Sequence, residues 1–250
     1  MTDKKIALIT GGNRGLGFET AKQLGEKGIY VVVGARQLKD AQSAAAKLKE
    51  LEIQSDGLEL DVKVRSQHSA AAQYLKDRFG KLDILVNNAG IMLEGEPLLA
   101  AQNPSPVLSV RESDLRETME TNFFSTFFLV KELVPLLMKS EAGRIVNVSS
   151  FLGSLTLQSD PKFHAYSVKT FAYNTSKLAL NSLTVHLAYE LRNTAIKVNA
   201  ADPGWVQTRM GSKAAPMSVQ EGSKTSVQLA TLPKDGPSGG FFHLGEALPW

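Results

Sequence analysis

The sequence predicts an α/β protein with one doubly wound parallel sheet of about seven strands and helices on both faces. Three observations lead there. Short, continuous apolar runs such as Ile6–Ile9, Ile29–Val33 and Leu82–Val86 have the pattern of strands buried on both sides. Segments with a 3.6-residue apolar repeat alternate with those runs through the first half of the chain. A glycine turn, Thr10–Gly17, joins the first run to the first helical segment. No internal repeat or linker interrupts the 250 residues, a length that one domain of this class fills, so residues 1–250 are expected to form a single unit.

Composition narrows the function. The net charge is +3 and the cations are scattered, which speaks against a nucleic-acid partner. With no cysteine, disulfides, thiolate catalysis and Cys-ligated metal sites are excluded. The four histidines, at 68, 164, 186 and 243, show no metal-ligand spacing and read as ordinary surface or core residues. No apolar run is long enough to span a bilayer, and glycines follow the first apolar run too soon for a signal peptide. A cytoplasmic protein without membrane partners is the expectation.

The elements follow in order. Ile6–Ile9 feeds into Thr10-Gly-Gly-Asn-Arg-Gly-Leu-Gly17, and the helical Phe18–Leu24 stops at Gly28. Strand, glycine turn and helix start together make an anion site, with free amide N–H groups and the helix dipole aimed at a phosphate. The glycines leave no side chain where a pyrophosphate would approach; a merely flexible loop is the plain alternative. Ile29–Val33 is the second strand. Its end would face the adenosine ribose, where an acid reads the hydroxyls of NAD. Here that position holds Ala35, flanked by Arg36 and faced by Arg14. Two guanidiniums and no acid suit a 2′-phosphate, so NADP(H) is expected over NAD(H).

A helix over 39–51 leads to a third strand, Leu58–Val62. Asp61 at its end could hold the adenine amino group or cap the next helix, Ala70–Phe79. Leu82–Val86 is the fourth strand and ends in Asn87-Asn-Ala-Gly90, small and amide residues suited to a cofactor crevice. Residues 91–112 read as a long loop, followed by one long helix from about Asp114 to Met138. Asn122 inside it needs hydrogen bonds if buried, and it marks a structural site, a π-bulge or a water site. Gly143–Ser150 is the fifth strand, 151–170 an irregular stretch, and Ile196–Ala200 the sixth strand. Ser218–Glu221 is a capping box opening a last helix to Thr231, and Gly240–Leu244 is a final strand.

Phe171-Ala-Tyr-Asn-Thr-Ser-Lys177 opens an amphipathic segment that places Tyr173 and Lys177 one turn apart on one face. A phenol ordinarily loses its proton near pH ~10. A neighbouring ammonium pulls that value down, and such a lowering is the expectation for Tyr173. Tyr166 has Thr170, not a lysine, four residues on, and is not paired in this way.

Taken together and in this order, Thr10–Gly17, Asn87–Gly90, Asn122, Ser150, Tyr173–Lys177 and Pro203-Gly204 resemble the short-chain dehydrogenase/reductase family. The glycine turn and the tail from Glu221-Gly to Asp235-Gly-Pro-Ser-Gly-Gly240 are most similar to its NADPH-dependent carbonyl reductases. The resemblance implies a Rossmann fold and reduction of a small-molecule aldehyde or ketone. Running the same machinery as an alcohol dehydrogenase, or as a non-catalytic NADP sensor, are the alternatives. It implies Tyr173 as general acid, Ser150 holding the carbonyl oxygen, Lys177 on the nicotinamide ribose and Asn122 positioning a water. Ser149 competes with Ser150, but strand alternation turns it the other way. Cofactor contacts are implied at Gly11, Asn13, Arg14, Gly15, Leu16, Gly17, Arg36, Asp61, Val62, Asn88, Ala89, Gly90, Tyr173, Lys177, Pro203, Gly204, Val206 and Thr208, with no metal. The segment between Ser150 and Tyr173 is longer than in most members but shorter than the insertion of monomeric carbonyl reductases. Dimer, tetramer and monomer therefore all stay open. Substrate loops are expected at 91–112, 151–170 and 205–217. Within them Met92, Leu93, Phe151, Leu155, Trp205 and Met210 suggest an apolar pocket.

Overall fold

A computed structural model describes residues 4–94 and 107–250; residues 95–106, the centre of the expected 91–112 loop, lie outside the described residues. The strands are β1 (Ile6–Thr10), β2 (Tyr30–Ala35), β3 (Ser55–Glu59), β4 (Ile84–Asn87), β5 (Arg144–Val148), β6 (Lys197–Ala201), β7 (Phe241–His243) and β8 (Glu246–Ala247). They form one sheet in the order β3-β2-β1-β4-β5-β6-β7-β8. All neighbours are parallel except β7 and β8. The chain winds outward in both directions from between β1 and β4, so a crevice opens there at the strands' carboxyl ends.

Strand alternation divides the core. Ile6, Leu8, Leu85 and Ile145 point to one face, with Ala71, Leu133 and Leu187. Ala7, Ile9, Val86 and Val146 point to the other, with Leu24, Leu48 and Val227. Both faces are therefore dry, as continuous apolar strands require. The helices covering them are α1 (Gly15–Glu26), α2 (Leu38–Glu50), α3 (Arg65–Phe79), α4 (Glu112–Met119), α5 (Ser125–Leu137), α6 (Leu155–Ser159), α7 (Phe171–Glu190) and α8 (Val219–Ala230). Ser218 and Glu221 form the expected capping box at α8.

Four expectations need correction. The third strand is Ser55–Glu59, not Leu58–Val62. It is an edge strand held to α2 by polar and steric contacts: Ser55 Oγ donates to the Ala45 carbonyl at 2.8 Å, and Gly57 lies directly against the α2 backbone at Ala41. The apolar Leu60 and Val62 plug the core just after the strand, and they drew the reading towards themselves. Next, the long helix is three pieces: α4, a π-helical segment Glu120–Phe124, and α5. The irregular stretch 151–170 contains a 3-10 turn, Phe151–Gly153, and α6. The sheet gains an eighth, antiparallel strand because Leu244 and Gly245, with φ of 46° and 91°, make a tight reversal. Two exposed residues give such a strand no sequence signal.

Candidate active site

Glycines and amides shape the turn after β1. Gly11 sits at φ +60°, and a side chain on Gly17 would overlap both the Gly11 carbonyl oxygen and the Asn88 amide. Asn88 braces the turn: its Nδ2 donates to the Thr10 carbonyl at 2.9 Å and the Gly11 carbonyl at 3.2 Å. Thr10 Oγ1 accepts from the N–H groups of Asn88 and Ala89, each at 3.0 Å. No side chain caps the N-terminus of α1 and no acid occupies its first turn, so its amides face the crevice without a protein anion. Across the crevice, Val206 and Leu16 pack on the same side of Gly222, and Thr208 faces Gly15. The fold thus brings Val206 and Thr208 of the expected set against the glycine turn.

At the end of β2, Ala35 is buried and Arg36 is exposed, as is Arg14. Lys63 lies close enough to feel the Arg36 charge, although it already pairs with Glu117 at 2.6 Å. Asp61 Oδ1 accepts from the Lys63 N–H at 3.0 Å, closing the turn into α3, and Val62 is buried beside it.

The expected catalytic set converges at the carboxyl edge. Ser150 follows β5, and its hydroxyl, which accepts the Leu152 N–H at 3.2 Å, lies close enough to Tyr173 to act on the phenol. Ser149 turns the opposite way and donates to Asn181 Oδ1 at 2.5 Å. Lys177 is 4% exposed, donates to the Val148 carbonyl at 2.7 Å, and has its Nζ 5.6 Å from the Tyr173 ring centre. Asn122 and Lys177 stand nearest to the place where a side chain on Gly90 would be. Asn122 lies in the π-helical segment. It accepts from the Ile91 N–H at 2.8 Å and donates to the Ile91 carbonyl and to Ser176 Oγ, both at 2.9 Å. The extra residue of that segment turns the amide out of the helix repeat and lets it tie α7 to the chain leaving β4.

The electrostatics overturn one expectation. Tyr173 does not have a lowered pKa here; burial, and then the Asp202 charge, push it up, with only Ser150 opposing. Lys177 is itself desolvated, which lowers its own pKa to about 8, and the groups that act on the phenol are Asp202 and Ser150 instead. Asp202 was not singled out from the sequence. It is 2% exposed, and its Oδ2 lies 3.0 Å from Nδ1 of His243, a histidine expected to be ordinary. A lone acid before Pro-Gly and a distant histidine give no joint signal in sequence. Glu94 was also missed: its Oε2 accepts the Tyr173 N–H at 2.9 Å, in the first turn of α7.

Beside Tyr173 lies an apolar cluster of Leu152 and Ala165 with Met92, Phe151, Phe163, Val168 and Met210. Of the expected pocket residues, Leu93 and Leu155 are exposed, and Trp205 donates to the Gly211 carbonyl at 2.6 Å instead of joining the cluster. Among the described residues no group of three or more His, Asp or Glu is placed to hold a metal, and no helix is long and apolar enough to cross a membrane.

A doubly wound sheet with a glycine turn and a Ser–Tyr–Lys cluster on its carboxyl edge defines a nicotinamide-dependent oxidoreductase. The family model for short chain dehydrogenases matches residues 5–218, and the chain belongs to that family. It is similar to (+)-neomenthol dehydrogenase of Arabidopsis thaliana, at 34% identity over 284 residues, covering 95% of each chain. Among solved structures, salutaridine reductase from Papaver somniferum has 31% identity and a TM-score of 0.81, covering 96% of this chain and all of that one. An NADPH-bound carbonyl reductase from chicken fatty liver has 27% identity and a TM-score of 0.81, with both chains covered in full. The protein is thus an oxidoreductase acting on alcohol and carbonyl groups.

Proposed function

We propose that the protein is an NADPH-dependent reductase of apolar ketones or aldehydes, with Tyr173 as the general acid. The observation that supports this most directly is the buried Tyr173, with Ser150 acting on its phenol, Lys177 Nζ 5.6 Å from its ring centre and an apolar wall beside it. Bound NADPH supplies the hydride that reduces the carbonyl carbon. Ser150 and Tyr173 present two hydroxyl donors to the carbonyl oxygen, where negative charge develops. Because burial holds its proton tightly, Tyr173 is fully protonated at neutral pH, the state that reduction requires. Lys177, the residue directly after the Tyr173 carbonyl's partner Ser176, lies beside Gly90, where its ammonium can reach a ribose. Asn122 fixes the chain beside Gly90 and would order a water near Lys177.

The glycine turn fits a pyrophosphate because its close contacts exclude side chains and its helix amides lack a protein anion. Gly11, Asn13, Gly15, Leu16 and Gly17 would cradle it, with Pro203, Gly204, Val206 and Thr208 closing the nicotinamide end. Arg14 and Arg36 would read the 2′-phosphate, while Asp61, Val62, Asn88, Ala89 and Gly90 would line the adenosine and ribose positions. This is a reading for a cytoplasmic enzyme with a small-molecule substrate.

The test is NADPH oxidation over a panel of apolar ketones and aldehydes with wild type and Tyr173→Phe. The variant should lose at least about three orders of magnitude in kcat while binding NADPH normally. Equal rates in both proteins would refute the assignment. Tight NADPH binding without turnover of any carbonyl would favour a sensing protein.

A further inference from the structure

Asp202 is a buried carboxylate that the proposed chemistry does not use. Such a group is costly to keep charged unless it is fully partnered, and here it is. Oδ1 accepts the Phe151 N–H at 2.9 Å, Oδ2 accepts the Gly204 N–H at 3.1 Å, and His243 Nδ1 lies 3.0 Å from Oδ2. Phe151 directly follows Ser150, while Gly204 belongs to the turn that closes over the crevice. One carboxylate therefore ties down both walls of the site. His243 Nδ1 also faces the Asp202 carbonyl oxygen at 3.1 Å. Both neighbours are acceptors, so Nδ1 carries a hydrogen whether the ring is neutral or charged. The ring packs under the turn as well: a side chain on Gly204 would come within 2.9 Å of His243 Cε1.

We infer that Asp202, steadied by His243, is a positioning residue for the reaction: it aligns the Ser150 backbone and the Pro203-Gly204 turn around Tyr173 from a single carboxylate. This rests on the reductase reading above. The ionisable groups around the pair are few. Asp202 faces His243 from the end of β6, Glu246 stands opposite it across the β7–β8 register, and α8 offers the neutral Thr225 to the next residue, Leu244. On the far side, from α7, Tyr173 senses the Asp202 charge, which makes its phenolate harder to form. That link gives the pair a signature beyond simple bracing.

The experiment compares Asp202→Asn, His243→Asn and His243→Leu in the full chain, with Tyr173→Phe as reference, in reduction and in alcohol oxidation across pH. Asp202→Asn, left with one acceptor oxygen for three donors, should lose about tenfold or more in kcat/KM for reduction. Oxidation needs the phenolate, so removing the Asp202 charge should move its acidic limb to lower pH by about half a unit or more. His243→Asn keeps an N–H where Nδ1 stands and should stay within about threefold of wild type, whereas His243→Leu should lose about tenfold. The inference is overturned if the limb does not move in Asp202→Asn, or if His243→Asn and His243→Leu behave alike. Should Asp202→Asn fail to fold, the two His243 variants decide it. An active Tyr173→Phe would instead refute the reductase reading.

Discussion

Replacing Lys177 with methionine should make the ligand-free protein more stable while abolishing turnover. The lysine is 4% exposed and its ammonium donates to the Val148 carbonyl at 2.7 Å. Burial takes its pKa from 10.5 to about 8, which at 1.36 kcal/mol per pH unit disfavours the charged form by roughly 3 kcal/mol at neutral pH. Methionine removes that penalty and gives up one hydrogen bond from a charged group, about 1.5 kcal/mol. A net gain of about 1.5 kcal/mol would raise Tm by about 3–6 °C in a chain of this size. The pH dependence follows from the sign of the shift. The folded value lies below the unfolded one, so the unfolded chain binds more protons between about pH 8 and 10.5, and wild-type stability rises across that window. The methionine variant lacks this slope, and its advantage should shrink between pH 7 and pH 10. Thermal melts of both proteins at the two pH values provide the measurement. A variant that melts at or below wild type at pH 7, or a gap unchanged at pH 10, would refute the reasoning.

Arg36→Ala should weaken NADPH binding by about 1–3 kcal/mol and leave NADH almost unaffected, as read by titration calorimetry. Equal losses for both cofactors would mean that Arg36 does not read the 2′-phosphate. Gly17→Ala should destabilise the fold by about 1–3 kcal/mol in urea unfolding, because the new methyl group meets the Gly11 carbonyl and the Asn88 amide together. A wild-type midpoint would show that the turn can yield.

Much of the fold was legible because its signals are local. β1, β2 and β4 are apolar on both faces, and a run such as Ile6–Ile9 has no other comfortable place. β3 was misplaced because its stability comes from α2 packing on Ser55 and Gly57, contacts that span the gap between elements and leave no apolar run behind. The eighth strand depends on two backbone angles at Leu244 and Gly245. The Ser150, Tyr173 and Lys177 positions were legible as an ordered set, and strand alternation alone separated Ser150 from Ser149. Asp202, His243 and Glu94 were not, since their importance lies in pairings across 41 and 79 residues of chain.

The misjudged pKa of Tyr173 has the same origin and bears on reaction direction. From sequence, one cation four residues away was the only visible influence, and it pointed downward. In the folded protein that cation is itself desolvated, while burial first and then the Asp202 carboxylate hold the proton on the phenol. A phenol that keeps its proton is an acid ready for an incoming carbonyl and a poor base for an alcohol. On the proposed reading, the site is therefore poised for reduction. Oxidation would first need positive charge brought close enough to offset Asp202, and a cationic nicotinamide ring is the species that could bring it. Reduction should consequently stay active through neutral pH, whereas oxidation should rise with pH as the phenol is forced to ionise.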